Sequence, residues 1–196
     1  MFNLHNIVKA NQALILPVLL GGAKFFYDGK YLTGRHFDNS FIGLRWVLRA
    51  IWRQKILGFN RHIPWPCGYT ACISNPKNIT FHPDDLGNFQ SPGTYFQNFS
   101  GHITLKRGCF IAPNVGIITA NHRIGDLKTH ERGKDVVIGA DSWIGMNAVI
   151  LPGVILGDHT VVGAGSVVTK SFPEGNVLIA GNPAKIIKKL NDSEGV

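Results

Sequence analysis

Acidic residues are scarce in this 196-residue chain, 12 against 20 Lys and Arg, and the shortage is concentrated at one end. Up to His62, nine cations face only Asp28 and Asp38; from Ile63 onward 11 cations meet 10 acids. A basic N-terminal segment therefore precedes a nearly neutral body. Such a segment suits an anionic membrane surface, a nucleic acid or an acidic partner, and the plain alternative is a solvated basic face. Cysteine is also sparse. Cys67, Cys72 and Cys109 form no CxxC pair, which argues against a disulfide framework or a zinc knuckle. Long apolar runs are missing: residues 13–22 are interrupted by Pro17, and a membrane-spanning helix needs about twenty apolar residues. The N-terminus lacks the order of a signal peptide, so a cytoplasmic location is expected. What the chain does have is 23 glycines and 10 prolines with 44% hydrophobic residues. That composition excludes a disordered chain, disfavours a helical bundle and favours a turn-rich β architecture.

A six-residue repeat organises the second half. Ile138, Ile144, Ile150, Leu156, Val162 and Val168 follow one another at steps of six, with Gly139, Gly145, Gly157 and Gly163 directly after four of them. Four places after each aliphatic stand Ser142, Ala148, Val154, Thr160, Ser166 and Phe172, small or β-branched until the last. Upstream, Leu105, Ile111 and Ile117 obey the same rule, with Cys109 and Val115 in the small slots, and Ile73 and Ile79 suggest a degraded beginning. The step from Ile117 to Ile138 is not a multiple of six, and the polar stretch 121–135 reads as a loop leaving the regular body.

Neither a helix, with period 3.6, nor a flat strand, with period two, explains an aliphatic at every sixth position. Hexapeptide repeats build a parallel β-helix whose aliphatics line interior columns and whose glycines permit tight corners. At three hexapeptides per coil, residues 63–183 less the loop predict about six coils and a prism roughly 30 Å tall. Cys109 occupies an inward slot, a packing position.

The ladder from Ile138 to Phe172, the phrase Thr119-Ala120-Asn121-His122 and the closing Gly181-Asn182-Pro183-Ala184-Lys185 together resemble hexapeptide-repeat acetyltransferases. Within that superfamily the likeness is to the sugar O-acetyltransferase branch: galactoside and maltose acetyltransferases, and enzymes that modify capsule or lipopolysaccharide sugars. It covers about residues 63–190. The resemblance implies an all-β, left-handed parallel β-helix, assembled as a homotrimer with active sites between subunits. It implies acetyl-CoA as co-substrate, a small-molecule or lipid-linked sugar as acceptor, and no metal. The expected organisation is a basic, partly helical segment 1–62, a β-helix domain 63–183 with its excursion at 121–135, and a short C-terminal helix or tail 184–196.

Acetyl transfer to a hydroxyl needs a base, donors for the oxyanion and close placement of both substrates. His122 stands where the ladder stops and the loop begins, and imidazole titrates near physiological pH. The resemblance implies that His122 is the general base, the hydroxyl attacking acetyl-CoA directly. Asn121 is a candidate to orient it or to shape the turn. Asp126 and Glu131 are candidate orienting carboxylates, His130 a candidate acceptor contact, and His159 an exposed corner residue. The resemblance also implies that Met146, Ala164, Thr169 and Lys170, with Trp143 beside them, meet the pantetheine arm of CoA. It places Lys185 and Lys188 near the nucleotide end.

In the N-terminal segment, Leu44, Val47, Leu48, Ile51 and Trp52 fall on one helical arc, with Arg45, Arg49 and Arg53 beside it. The readings are a helix packed on the prism or on an adjacent subunit, or a peripheral membrane contact through residues 1–60 at the inner face of the membrane. Two alternatives to an acetyltransferase remain at the level of sequence. One is a zinc enzyme like the γ-class carbonic anhydrases, which needs three convergent histidines. The other is a non-catalytic scaffold or nucleic-acid-binding protein, against which the neutral prism and the lack of a binding motif argue; no nucleic acid is expected.

Overall fold

The computed structural model describes residues 16–38 and 40–190. The chain divides into two compact units, residues 1–69 and 70–196.

In the first unit, residues 16–23 are helical and a 3-10 turn follows at Gly29–Tyr31. The main element is the α-helix Ile42–Ala50, which runs on as π-helix through Ile51–Ile56. The sequence arc is rotated from its expected place. Gly43, Leu44, Val47, Ala50 and Gln54 are buried, whereas Leu48 and Trp52 are 59% and 57% exposed. Phe37 lies so close over Gly43 that a Cβ there would meet its ring at 2.5 Å, which fixes that side inward. Gln54 recurs at helical spacing after Val47 and Ala50 and follows on the same side, whereas Trp52 falls on the outward side. Gln54 is fully employed: its oxygen accepts from Tyr27 Oη at 3.1 Å and the Cys67 N–H at 3.4 Å, and its amide donates to the carbonyls of Asn60, Ile63 and Trp65. A buried amide with this many partners ties the helix to the segment after it.

The second unit is a three-faced parallel coil. Face A stacks Cys72–Ile73, Tyr95–Gln97, Gly116–Ile118, Val149–Ile150 and Val167–Val168. Face B stacks Ile79–Thr80, Ile103–Leu105 and Val136–Ile138, continued by the bridges of Val137 to Ile155 and Leu156 to Phe172. Face C stacks Phe110–Ile111, Trp143–Ile144, Thr160–Val162 and Val177–Gly181. Face A has five rungs, one fewer than expected, and on face C the 3-10 helix Pro83–Gln90 occupies the first position in place of a strand. That helix still closes the edge of the face: Asn88 accepts from the Ile111 N–H at 2.9 Å and donates to the Cys109 carbonyl at 3.0 Å.

Stacking places the ladder where the repeat predicts. Phe96, Ile117, Ile150 and Val168 form one column, Leu105, Ile138, Leu156 and Phe172 a second, and Ile111, Ile144, Val162 and Ile179 a third. The six leading aliphatics are at most 1% exposed. Small slots add hydrogen bonds between rungs: Ser142 Oγ accepts from the Thr160 N–H and Ser166 Oγ from the Gly181 N–H, both at 3.1 Å. Cys109 packs inward as expected. Phe172 breaks the slot pattern because the last coil is shorter, so it takes the column position below Leu156. Gly145 shows why glycine follows the aliphatic: a Cβ there would meet the backbone of Val162 and Ala164 at 2.7 Å. His159 sits at a corner with φ 55°, exposed, in a stack of left-handed positions with Asp141 and Asn176.

The C-terminal helix expected from residue 184 is absent. Ala184–Lys189 is a strand, antiparallel to Val177–Gly181, with the turn at Asn182 and Pro183. The physical reason is the open edge of the last rung. A strand satisfies its free N–H and C=O groups, and a helix there leaves them unpaired.

Burial pushes the thiols of Cys67 and Cys109 up to about 12, while Cys72 is exposed. A thiol reagent at neutral pH is expected to label Cys72 rapidly and the other two only on unfolding. Rapid labelling of all three in the native protein would contradict the packing described.

Candidate active site

The excursion leaves the prism at the corner between faces A and B, after Ile118, and returns at Val136. It is a hairpin, His122–Arg123 paired antiparallel with Asp126–His130, and residues 121–132 are exposed. Its root is clamped from below. Gln97, nearly buried, accepts from the N–H groups of Thr119 and Ala120 at 3.0 Å and donates to the Ala120 carbonyl at 2.9 Å. The Thr119 hydroxyl returns a bond to the Gln97 carbonyl at 2.8 Å. Above the clamp, the Glu131 N–H donates to the Asn121 carbonyl and the Lys134 N–H to the Thr119 carbonyl, each at 2.8 Å.

His122 thus stands on a fixed root. Its Nδ1 lies 2.8 Å from the Leu127 carbonyl oxygen. A carbonyl only accepts, so Nδ1 carries the proton, and in the neutral ring Nε2 holds the free lone pair. The group on Nδ1 is thus this backbone carbonyl; of the candidate carboxylates, Asp126 caps the Lys128 N–H at 3.1 Å, and the Glu131 main-chain N–H bonds to the Asn121 carbonyl. Asn121 serves through its main-chain oxygen. The sequence offers His130 as an acceptor contact and gives no sign of Phe99. The His130 ring lies over His122, centroids 4.1 Å apart and planes at 36°, and the edge of Phe99 meets His130 at 4.9 Å. The hairpin register, His122 opposite His130, creates this stack, and no motif in the chain announces it.

Of the residues matched to CoA, all but Thr169 and Lys170 lie on other edges. Trp143, 46% exposed, stands in an outward row on face C: Phe110, Trp143, Val161, Leu178 and Lys188 are in register. Phe110, 50% exposed, is an aromatic member of that row that the sequence reading did not single out. Met146 and Ala164 share the corner between faces C and A, where the Gly165 N–H donates to the Met146 carbonyl at 2.8 Å. Lys185 is exposed on the terminal strand opposite Ala180. Thr169 and Lys170 are exposed at the corner between A and B, and the Lys170 ammonium lies 5.6 Å from the Phe172 ring centroid. One chain therefore places Trp143 and Lys188 in the same outward row, with Val161 and Leu178 between them, and Met146 beside Ala164. It does not bring either group to His122, since the hairpin's corner is opposite face C. Among the described residues no group of three or more His, Cys, Asp or Glu is placed to hold a metal ion. Among them, too, no helix is long and apolar enough to cross a membrane.

Truncating the clamp leaves the Ala120 N–H short of an acceptor and its carbonyl short of a donor, while the Thr119 N–H keeps the Gln97 main-chain carbonyl. Gln97→Ala is expected to lower unfolding stability by about 1–3 kcal/mol and to speed amide exchange in residues 121–131. An unchanged urea midpoint would show that the clamp is idle.

Comparison with known proteins bears on this geometry. Residues 135–170 match the family described as bacterial transferase hexapeptide (six repeats). A galactoside O-acetyltransferase of Escherichia coli is 39% identical over 99 residues, covering 47% of this chain and 46% of its own. A maltose O-acetyltransferase of Clostridium difficile superposes with a TM-score of 0.50 at 33% identity, covering 62% of this chain and 64% of that one. A galactoside acetyltransferase solved with coenzyme A superposes with a TM-score of 0.54 at 22% identity over 91% of this chain and 84% of that one, a likeness of fold. The chain spans about half the length of the first curated relatives it matches. Part of the stacked parallel faces, residues 135–170, thus matches the hexapeptide-repeat family, and over about half its length the chain is similar to galactoside and maltose O-acetyltransferases.

Proposed function

We propose that the chain is an acetyl-CoA-dependent O-acetyltransferase that esterifies a sugar hydroxyl in cell-surface polysaccharide synthesis. The observation that carries the reading is the His122 ring, held through Nδ1 by the Leu127 carbonyl at 2.8 Å, with Nε2 left as the base. The kinship with galactoside and maltose O-acetyltransferases supports the acceptor class.

The steps follow from the groups present. The acceptor hydroxyl gives its proton to His122 Nε2 as its oxygen bonds to the acetyl carbon. The carbon–sulfur bond then breaks, and the imidazolium returns the proton to the leaving thiolate, so no acyl-enzyme forms. The Leu127 carbonyl helps here as well, since its oxygen stabilises the ring as it becomes cationic. The apolar row of Phe110 and Trp143 suits a pantetheine arm, with Met146 and Ala164 at the adjacent corner. Lys185 and Lys188, at the end of face C, suit phosphate as point charges. Thr169 and Lys170 belong to this reading from the other edge.

His122 and the face C row sit on separate edges of one prism, so the complete site joins two copies: the hairpin of one beside face C of the next. Three copies in a ring close this head-to-tail contact, and the expected assembly is a homotrimer.

His122→Ala, shown to be folded by its unfolding transition, should lose kcat by about 10²-fold or more with acetyl-CoA binding retained. The assay is mass-spectrometric: sugars, sugar nucleotides and lipid-linked glycans are offered with acetyl-CoA and scanned for an acetyl gain. Near-normal turnover in the variant would end the proposal.

A further inference from the structure

The helix Ile42–Ala50 and its π-helical continuation turn one side to the core of their unit and another outward. The outward side is unusual for a surface bathed in water. Ile42, Leu48, Trp52 and Ile56 are 47%, 59%, 57% and 56% exposed, and Arg45, Arg49 and Arg53 alternate with them along the same arc. At the end of the helix, Leu57 and Phe59 extend the apolar side, 54% and 52% exposed. Scattered apolar residues are ordinary on a protein surface, but a contiguous set on one helix marks a binding face.

Charge decides what it binds. No Asp or Glu occurs between Asp38 and Asp84. Asp28 is engaged with Lys30, its carboxylate 3.4 Å from the ammonium, and Asp38 accepts from the Gly34 N–H at 3.1 Å. Arg53 lies over the Tyr69 ring at 4.4 Å, a contact that leaves its charge uncompensated. Two copies of this face brought together would oppose six guanidinium groups with no carboxylate between them. An anionic lipid surface meets both demands. Its phosphates accept bidentate bonds from guanidinium, while the indole of Trp52 and the aliphatic chains reach the headgroup boundary and the arginine stems lie along it.

We infer that the outward face of the helix 42–56 is a peripheral docking surface for an anionic phospholipid bilayer. The contact is independent of the transfer reaction, and partition rather than turnover reads it.

The test sediments the full-length chain with vesicles of phosphatidylcholine alone or with about one-third phosphatidylglycerol at near-physiological salt. Partition should be about tenfold stronger onto the anionic vesicles and should fall as salt rises. Leu48→Ser with Trp52→Ser, both exposed and so not needed for folding, should release the protein, and Arg45→Glu with Arg49→Glu should remove the preference for anionic lipid. Light scattering runs in parallel on all forms. Wild-type protein that stays in the supernatant with anionic vesicles would overturn the inference. So would variants that partition unchanged, or a Leu48/Trp52 variant whose only change is a smaller assembly mass, which would mark the face as a contact between copies.

Discussion

Each turn of the prism must offer the same three interior points to the turns above and below it, and almost everything else in the second unit follows. A branched aliphatic at each point keeps the columns filled, and glycine behind it lets the next backbone approach. The corners inherit the same discipline: Asn114, Asn147 and Gly165 stack at one of them with φ between 58° and 69°. Insertions can leave only where a column is not interrupted, which is why the hairpin departs at a corner and the aliphatics on either side keep their register.

That rigidity is what the site draws on. A hairpin with an exposed tip is by itself a poor place for a catalytic group, because loops of this kind open easily. Here two residues before His122 are locked by Gln97, a side chain of the preceding turn, and the strand pairing brings His130 over the ring. Stability in the coil becomes precision at the imidazole. The same side chain that closes a buried hydrogen-bond account in the wall fixes where the hairpin can point.

Much of this was written in the chain and some of it was not. The hexad of Ile138 to Val168 announced the columns because its period is a property of stacking alone. His122 stands where the period fails, a place that alone reads as an ordinary loop histidine, and it is the phrase Thr119-Ala120-Asn121-His122 that makes it a candidate base. The Leu127 carbonyl beside Nδ1 is not legible in the chain, since a main-chain group leaves no mark in side-chain identity; Asp126, a visible candidate, caps the Lys128 N–H instead. The apolar pattern alone suggests an inward arc that includes Leu48 and Trp52, but Phe37 packed over Gly43 turns the Gly43, Val47 and Ala50 side to the core and leaves both outward. The strand Ala184–Lys189 was read as a helix since its lysines have helical spacing, whereas the open edge it covers is a tertiary feature.

The two borders of face C are closed by different chemistry. At one border the Asn88 carboxamide imitates a missing strand; at the other a lysine-bearing strand runs backwards against the last turn. A stack of parallel turns is open-ended by nature, since each added turn presents the template for another. Reversing the final strand offers an approaching molecule the wrong polarity, and Lys185, Lys188 and Lys189 add like charge to the mismatch. The hairpin therefore acts as a chain terminator for growth of the solenoid, keeping a shape that could polymerise end to end as a discrete particle.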